Sequence, residues 1–238
     1  MNILIQFPTF NRPEKFFKCF EKYIRLSSGK HQLHFNINCE QDDSQLHGYE
    51  SKLHLIDKLC IEEFNHIRMS LNVENYGNKI AAINANVDSR DFDIVLCASD
   101  DMIPQLENWD DEICQAMIDN FPSLDGCVHF NDGYSNGSLI TFSILGKQLY
   151  DYFGYIYHPD YKSLYCDNEF TQEVTKLGKV KYIDKIIIKH EHYAEQGNSN
   201  SGDYDLAAKK TLFYSGRDKM VFELREKYGF PKQRITND

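Results

Sequence analysis

The segment Phe92-Asp-Ile-Val-Leu-Cys-Ala-Ser-Asp-Asp-Met-Ile-Pro104 constrains this chain more than any other. Residues 94–98 are apolar or small, and they run almost directly into the adjacent carboxylates Asp100 and Asp101, with a proline close behind. An apolar run of that length, bounded by charge, predicts a strand buried on both faces of a parallel sheet. Such sheets bind ligands outside the carboxyl ends of their strands, so the acid pair stands where chemistry is expected. Paired carboxylates there suit a hard divalent cation carrying a phosphate. The same two acids would also serve as N-cap and first-turn acid of a helix starting near Gln105.

The beginning of the chain favours the first of these readings. Residues 2–14 read as a short apolar strand, then the turn Pro8-Thr-Phe-Asn-Arg-Pro13, then a helix over 14–25 with Phe16, Phe17, Phe20 and Ile24 at helical spacing. A strand that breaks into a helix with free first-turn N–H groups can hold a nucleotide. Pro8-Thr-Phe-Asn-Arg-Pro13 resembles the opening of the family 2 type of GT-A glycosyltransferases, and Ser99-Asp100-Asp101 resembles the later half of their Asp-x-Asp signature. The first Asp of that signature falls on Ala98 here, which removes a ribose contact and leaves Asp100 as the metal-side carboxylate with Asp101 beside it.

The resemblance implies a GT-A fold: α/β, with a Rossmann-like, mixed but mostly parallel sheet flanked by helices. It spans residues 1–195, with a nucleotide-sugar-binding half over 1–104 and an acceptor half over 105–195; residues 196–238 form a C-terminal loop and helical extension outside it. Strands are expected at 34–39, 67–71, 126–130, 139–145 and 181–189. Helices are expected over 79–87 and 205–227, the latter as one amphipathic helix or a pair broken near Ser215-Gly216. The implied activity is metal-dependent, inverting transfer of a sugar from a nucleotide-diphosphate sugar to a hydroxyl acceptor, saccharide or other. The implied cofactor is Mn²⁺ or Mg²⁺, and a UDP-sugar is the expected donor.

The same resemblance distributes roles. Pro8, Thr9, Asn11, Arg12 and Ser99 lie along the donor, with Asp100 touching donor and metal alike. Of the acids ending the second strand, Glu40, Asp42 and Asp43, Asp42 is chosen to accept a hydrogen bond from the base. The loop Asn75-Tyr-Gly-Asn-Lys79 would meet the diphosphate through backbone N–H groups, Asn78 and Lys79. His190, with His192 as runner-up, would complete the metal site with Asp100 and Asp101; the two histidines share one face of the last strand. Asp167 in Tyr165-Cys-Asp-Asn-Glu-Phe170 matches the general base, Cys166 stands where the family often has Glu, and Glu169 is the alternative base. Asp167 could instead cap the helix that follows. Trp109 could stack on a sugar or pack in the core.

Composition narrows the alternatives. A net charge of −10 with no basic stripe argues against general nucleic-acid binding. The seven cysteines are scattered, odd in number and without a Cys-x-x-Cys pair, which predicts buried free thiols and a reducing, cytoplasmic setting. The chain enters a strand at once and has no bilayer-length apolar run, so neither a leader nor a membrane span is expected; attachment at a membrane periphery stays open. A homo-oligomer through the C-terminal helix is also open. Two other functions compete: a sugar nucleotidyltransferase, which would need glycines in the first turn, and a noncatalytic nucleotide- or sugar-binding relative, suggested by Ala98.

Overall fold

The computed structural model describes residues 1–191 and 205–232. The chain runs β1 (Asn2–Thr9), α1 (Pro13–Arg25), β2 (Gln32–Glu40), α2 (Leu46–Glu63), β3 (Ile67–Glu74), α3 (Lys79–Asn84), β4 (Ile94–Cys97) and β5 (Met102–Pro104). It continues through α4 (Trp109–Asn120), β6 (Cys127–Phe130), β7 (Ile144–Gly146), α5 (Lys147–Phe153), α6 (Cys166–Lys176), β8 (Val180–Ile183) and β9 (Ile188–His190). The helices α7 (Leu206–Phe213) and α8 (Ser215–Lys227) follow. Seven strands form one sheet in the order β3-β2-β1-β4-β7-β6-β8, and β5 pairs with β9 in a second, two-stranded sheet. The large sheet is parallel except at β7, which runs antiparallel to both neighbours.

Both faces of the sheet are buried, as the apolar run at 94–98 requires. Ile3, Ile5, Ile94 and Leu96 face a core that includes α1, while Leu4 and Val95 face a second core holding Ile80, Ile83 and Tyr157. Helix α1 begins at Pro13, whose missing N–H is no loss in a first turn. It buries Phe16, Phe17, Phe20 and Tyr23 on one side, and Phe16 meets Phe7 edge to face at 4.9 Å. Trp109 is fully buried and donates its indole N–H to the Tyr23 carbonyl, so it packs in the core. All seven cysteines are buried free thiols.

A ladder of buried amides crosses the sheet and fixes α3. Asn36 donates to Gln6, Asn72 donates to Asn36 and Asn38, and Gln6 and Asn38 donate to the carbonyls of Ala85 and Ala82. Buried amides are tolerated when satisfied in this way, and a satisfied network rigidifies what it joins. Its function here is positional: it ties the second half of α3, at Ala82 and the C-cap Ala85, to β1 and β2.

Some expected elements differ. The strand expected at 139–145 contracts to Ile144–Gly146, because the Thr141 hydroxyl binds Asp132 and the Ile140 N–H binds Thr171. The strand expected at 181–189 is two strands in two different sheets, separated by a turn in which the Lys185 N–H returns to the Ile183 carbonyl. The C-terminal segment is a pair of helices meeting at Tyr214, beside the expected break. Helix α8 is not an appendage. The fully buried Asp218 accepts backbone N–H groups from Lys162, Ser163 and Leu164, and the buried Arg225 pairs with Glu169 of α6. No helix among the described residues is long and apolar enough to cross a membrane.

Candidate active site

Strand β4 ends at Cys97, and the Ala98 N–H extends the ladder by bonding the Gln6 carbonyl. The chain then turns through Ser99, Asp100 and Asp101 and enters β5 at Met102, with the Met102 N–H on the Ser99 carbonyl. The acid pair therefore caps no helix, since the next one begins at Trp109. Pairing of β5 with β9 sets Met102 opposite His190, and the Glu191 N–H binds the Asp101 carbonyl. That register brings His190 Nε2 to 3.7 Å from Asp101 Oδ2, while the Ser99 hydroxyl donates to the other Asp101 oxygen.

The two acids sit in opposite electrostatic surroundings. Burial would push Asp101 up, but His190, Lys79 and the Ser99 hydroxyl outweigh it and hold the carboxyl well below the usual range. Asp100 is pushed up to about 6 by burial, with the neighbouring Asp101 adding to the rise and Arg12 opposing it. Arg12 Nη1 lies 3.2 Å from Asp100, and its Nε and Nη2 reach the two oxygens of Asp205 at 2.7 Å each. Asp101 thus favours its charged form, and Asp100 is bound to an arginine.

Of the expected site residues, Pro8, Thr9, Arg12, Asn78, Lys79 and Ser99 come together as the lining of one cleft. Asn11 instead shapes the turn: at φ 57° it directs its N–H to Asp43 at 2.6 Å and accepts from Ser44. Asp42 is exposed and does not line the cleft. Glu40 does, and its Oε2 accepts the N–H groups of Tyr76 and Gly77 at 3.1 and 3.3 Å. Two N–H groups of the loop expected to hold a diphosphate are therefore engaged by Glu40, and Lys79 is the loop's charged residue in the cleft. Asn78 caps α3, accepting from the Ala81 N–H.

A second cleft adjoins the first. Arg12, Lys79, Ser99, Asp101 and Ser163 line both, and Asp167, His190, Thr141 and Tyr157 line the second. Asp167 lies in the first turn of α6, whose N-cap position is Tyr165, at φ 63°, so Asp167 is not the cap. Burial raises its pKa above the usual carboxylate range, against the Asn168 N–H and the charge of Lys79. Glu169 is elsewhere. It is buried, its two oxygens accept from Arg225 Nε and Nη2 at 2.7 and 2.8 Å, and the Tyr161 hydroxyl donates to it as well. The structure separates the two candidate bases: Asp167 faces a cleft and Glu169 is engaged in the core.

For a metal, Asp101 and His190 offer a carboxylate and an imidazole on one side of the cleft, with Asp100 adjacent. Among the described residues no group of three His, Cys, Asp or Glu side chains converges as a full cage. A carboxylate and an imidazole are donors that a divalent cation such as Mn²⁺ accepts. His192 lies outside the described residues. Sequence reasoning passed over Lys210, Thr211 and Tyr214, which line the first cleft from α7 and its C-terminal end, and Lys162, which lines it from the loop before α6. No signal in the sequence tied those distant positions to the cleft.

No protein family and no curated protein matches the sequence. Solved structures do match in fold. The mannosyltransferase PcManGT from Pyrobaculum calidifontis, in complex with GDP-Man and Mn²⁺, superposes with a TM-score of 0.61 at 13% identity over 97% of this chain and 72% of its own. S. aureus TarS 1-349 superposes with a TM-score of 0.58 at 14% identity over 79% of this chain. This chain spans only 60% of the length of that TarS structure. Glucosyl-3-phosphoglycerate synthase from Mycobacterium tuberculosis, with Mn²⁺, UDP and glucosyl-3-phosphoglycerate, gives a TM-score of 0.50 at 11% identity over 82% of this chain and 75% of its own. The fold is the GT-A glycosyltransferase fold.

Proposed function

We propose that this protein is a nucleotide-sugar-dependent glycosyltransferase that uses a divalent metal and inverts the anomeric centre. The observation that carries the proposal is the placement of Asp101, His190, Lys79 and Asp167 around adjoining clefts at the carboxyl end of a parallel sheet. GT-A structures that share the fold hold GDP-Man with Mn²⁺ and UDP with Mn²⁺, which supports the same donor class here. The first turn has no glycine, which disfavours a nucleotidyltransferase.

The residues divide the work. Asp101 and His190 would hold the cation, which when bound neutralises charge on the leaving diphosphate. Lys79, at the start of α3, adds a second positive charge toward the same oxygens. Asp167 accepts the proton of the attacking acceptor hydroxyl, and its raised pKa brings it closer to the pKa that favours a base at neutral pH. Inversion follows from a single displacement with one base.

Two expected results test this. First, UDP or GDP raises the melting temperature and Mn²⁺ enlarges the rise, because a ligand bound only by the native state stabilises it. A thermal-shift series that is flat for every nucleotide, or indifferent to metal, defeats the proposal. Second, Asp101→Asn removes the Mn²⁺-dependent part of that rise; the ligand-free protein still folds but melts somewhat lower, because the charge that His190 and the Ser99 hydroxyl favour is lost. Asp100→Asn keeps more of the Mn²⁺-dependent rise, since Asp100 is held by Arg12. If Asp100→Asn alone abolishes the metal effect, the two carboxylates exchange roles.

A further inference from the structure

Helix α7 faces the wrong way for a helix that belongs to a core. Ala207, Lys210, Thr211 and, at its end, Tyr214 recur at helical spacing and line the first cleft. No residue of α7 is buried, while Leu206 and Phe213 point outward at 56% and 80% exposure. A surface helix normally lays its apolar stripe on the domain and its polar face in water. Here the inward face sets Lys210 and Thr211 among Ala207, Ala208 and Leu212, and what it covers is the two adjoining clefts.

The ties that hold α7 in place run to that cleft. Asp205, which caps α7, chelates Arg12. Lys210 Nζ lies 3.2 Å from Glu40 Oε1 and 4.5 Å from the centre of the Phe10 ring. Phe10, Arg12 and Glu40 all line the first cleft. Glu40 is fixed from its other oxygen by the Tyr76 and Gly77 N–H groups, whereas Lys210 sits on a flexible stem and has three donors, one of which faces Glu40.

From this geometry we infer that α7 is a wall of the donor cleft and that Lys210 is a binding residue that contacts the nucleoside diphosphate. The inference rests on the nucleotide-sugar reading above. It adds a residue from a C-terminal segment that the resemblance left outside the donor site. Lys210 shares its charge between Glu40 and acceptor atoms of the bound nucleotide, so bound nucleotide adds a contact that protects α7.

The test uses the full chain and two readouts. Isothermal titration with UDP and with GDP, each with Mn²⁺, compares the wild type with Lys210→Met and Lys210→Arg. A lost charge-assisted hydrogen bond predicts binding weakened about tenfold or more in Lys210→Met and largely retained in Lys210→Arg. Backbone amide exchange over residues 205–214 of the wild type slows when UDP or GDP with Mn²⁺ is added. This second readout needs no variant, and it decides the matter if Lys210→Met fails to fold. Nucleotide binding by the wild type, with Lys210→Met within about twofold of it and α7 exchange unchanged, overturns the inference and leaves the proposed function standing. A wild type that binds neither nucleotide overturns both.

Discussion

Asp167→Asn is expected to lower turnover by about 10²–10⁴-fold while leaving affinity for UDP or GDP with Mn²⁺ unchanged. A general base contributes in the transition state, where the acceptor hydroxyl loses its proton, and little to holding the donor. The amide fills the same space in the first turn of α6 and cannot accept the proton. The pH profile supplies a second check. Burial raises the Asp167 pKa, and the base works only when ionised, so the wild-type rate falls as pH drops through a value above the ordinary carboxylate range. In Asp167→Asn that limb disappears from the residual rate. Single-turnover kinetics with saturating donor measure the effect free of donor binding. A variant that keeps its rate, or that loses donor affinity in proportion to rate, removes Asp167 from the role.

Residues that line the first cleft were legible in the sequence where their signals are local. An apolar run ending in two acids predicts a buried strand with its carboxyl end at a ligand site, where Ser99 also lies, and Pro8, Thr9, Arg12, Asn78 and Lys79 fall in neighbouring strand-to-helix turns. Local signals fail where burial decides between neighbours. Glu40 and Asp42 are two residues apart and chemically alike, yet Glu40 ends β2 and lines the cleft while Asp42 is exposed beyond it. Asp167 and Glu169 are also two apart, and a pairing across 56 residues with Arg225 separates their fates. Helix α7 was invisible as a site element for the same reason: its partners Arg12 and Glu40 are 193 and 170 residues distant from Asp205 and Lys210. The strand at 181–189 reads as continuous because its residues favour extension throughout. Only the turn after Ile183 shows that its two ends serve different sheets, one of them carrying His190 to Asp101.

Glu169→Gln is expected to damage the fold rather than the chemistry, lowering the free energy of unfolding by about 3–5 kcal/mol in urea titrations. The carboxylate is 5% exposed and receives a bidentate guanidinium plus the Tyr161 hydroxyl. Arg225 is 1% exposed and also reaches Asp160 and the Pro231 carbonyl. Neutralising Glu169 leaves a buried cation facing only the partly exposed Asp160, and an uncompensated buried charge is the costly outcome. Arg225→Met strands the carboxylate instead and is expected to cost a similar amount. The double variant Glu169→Leu/Arg225→Met should recover much of the loss, because an apolar pair of similar volume often replaces a buried ion pair at little cost. At low temperature, the rate per folded molecule of Glu169→Gln should stay near that of the wild type, in contrast to Asp167→Asn. A Glu169→Gln protein of wild-type stability that has lost turnover would make Glu169 the base after all. Its carboxylate would then have to leave Arg225 during the reaction, and the Arg225→Met protein would keep its activity.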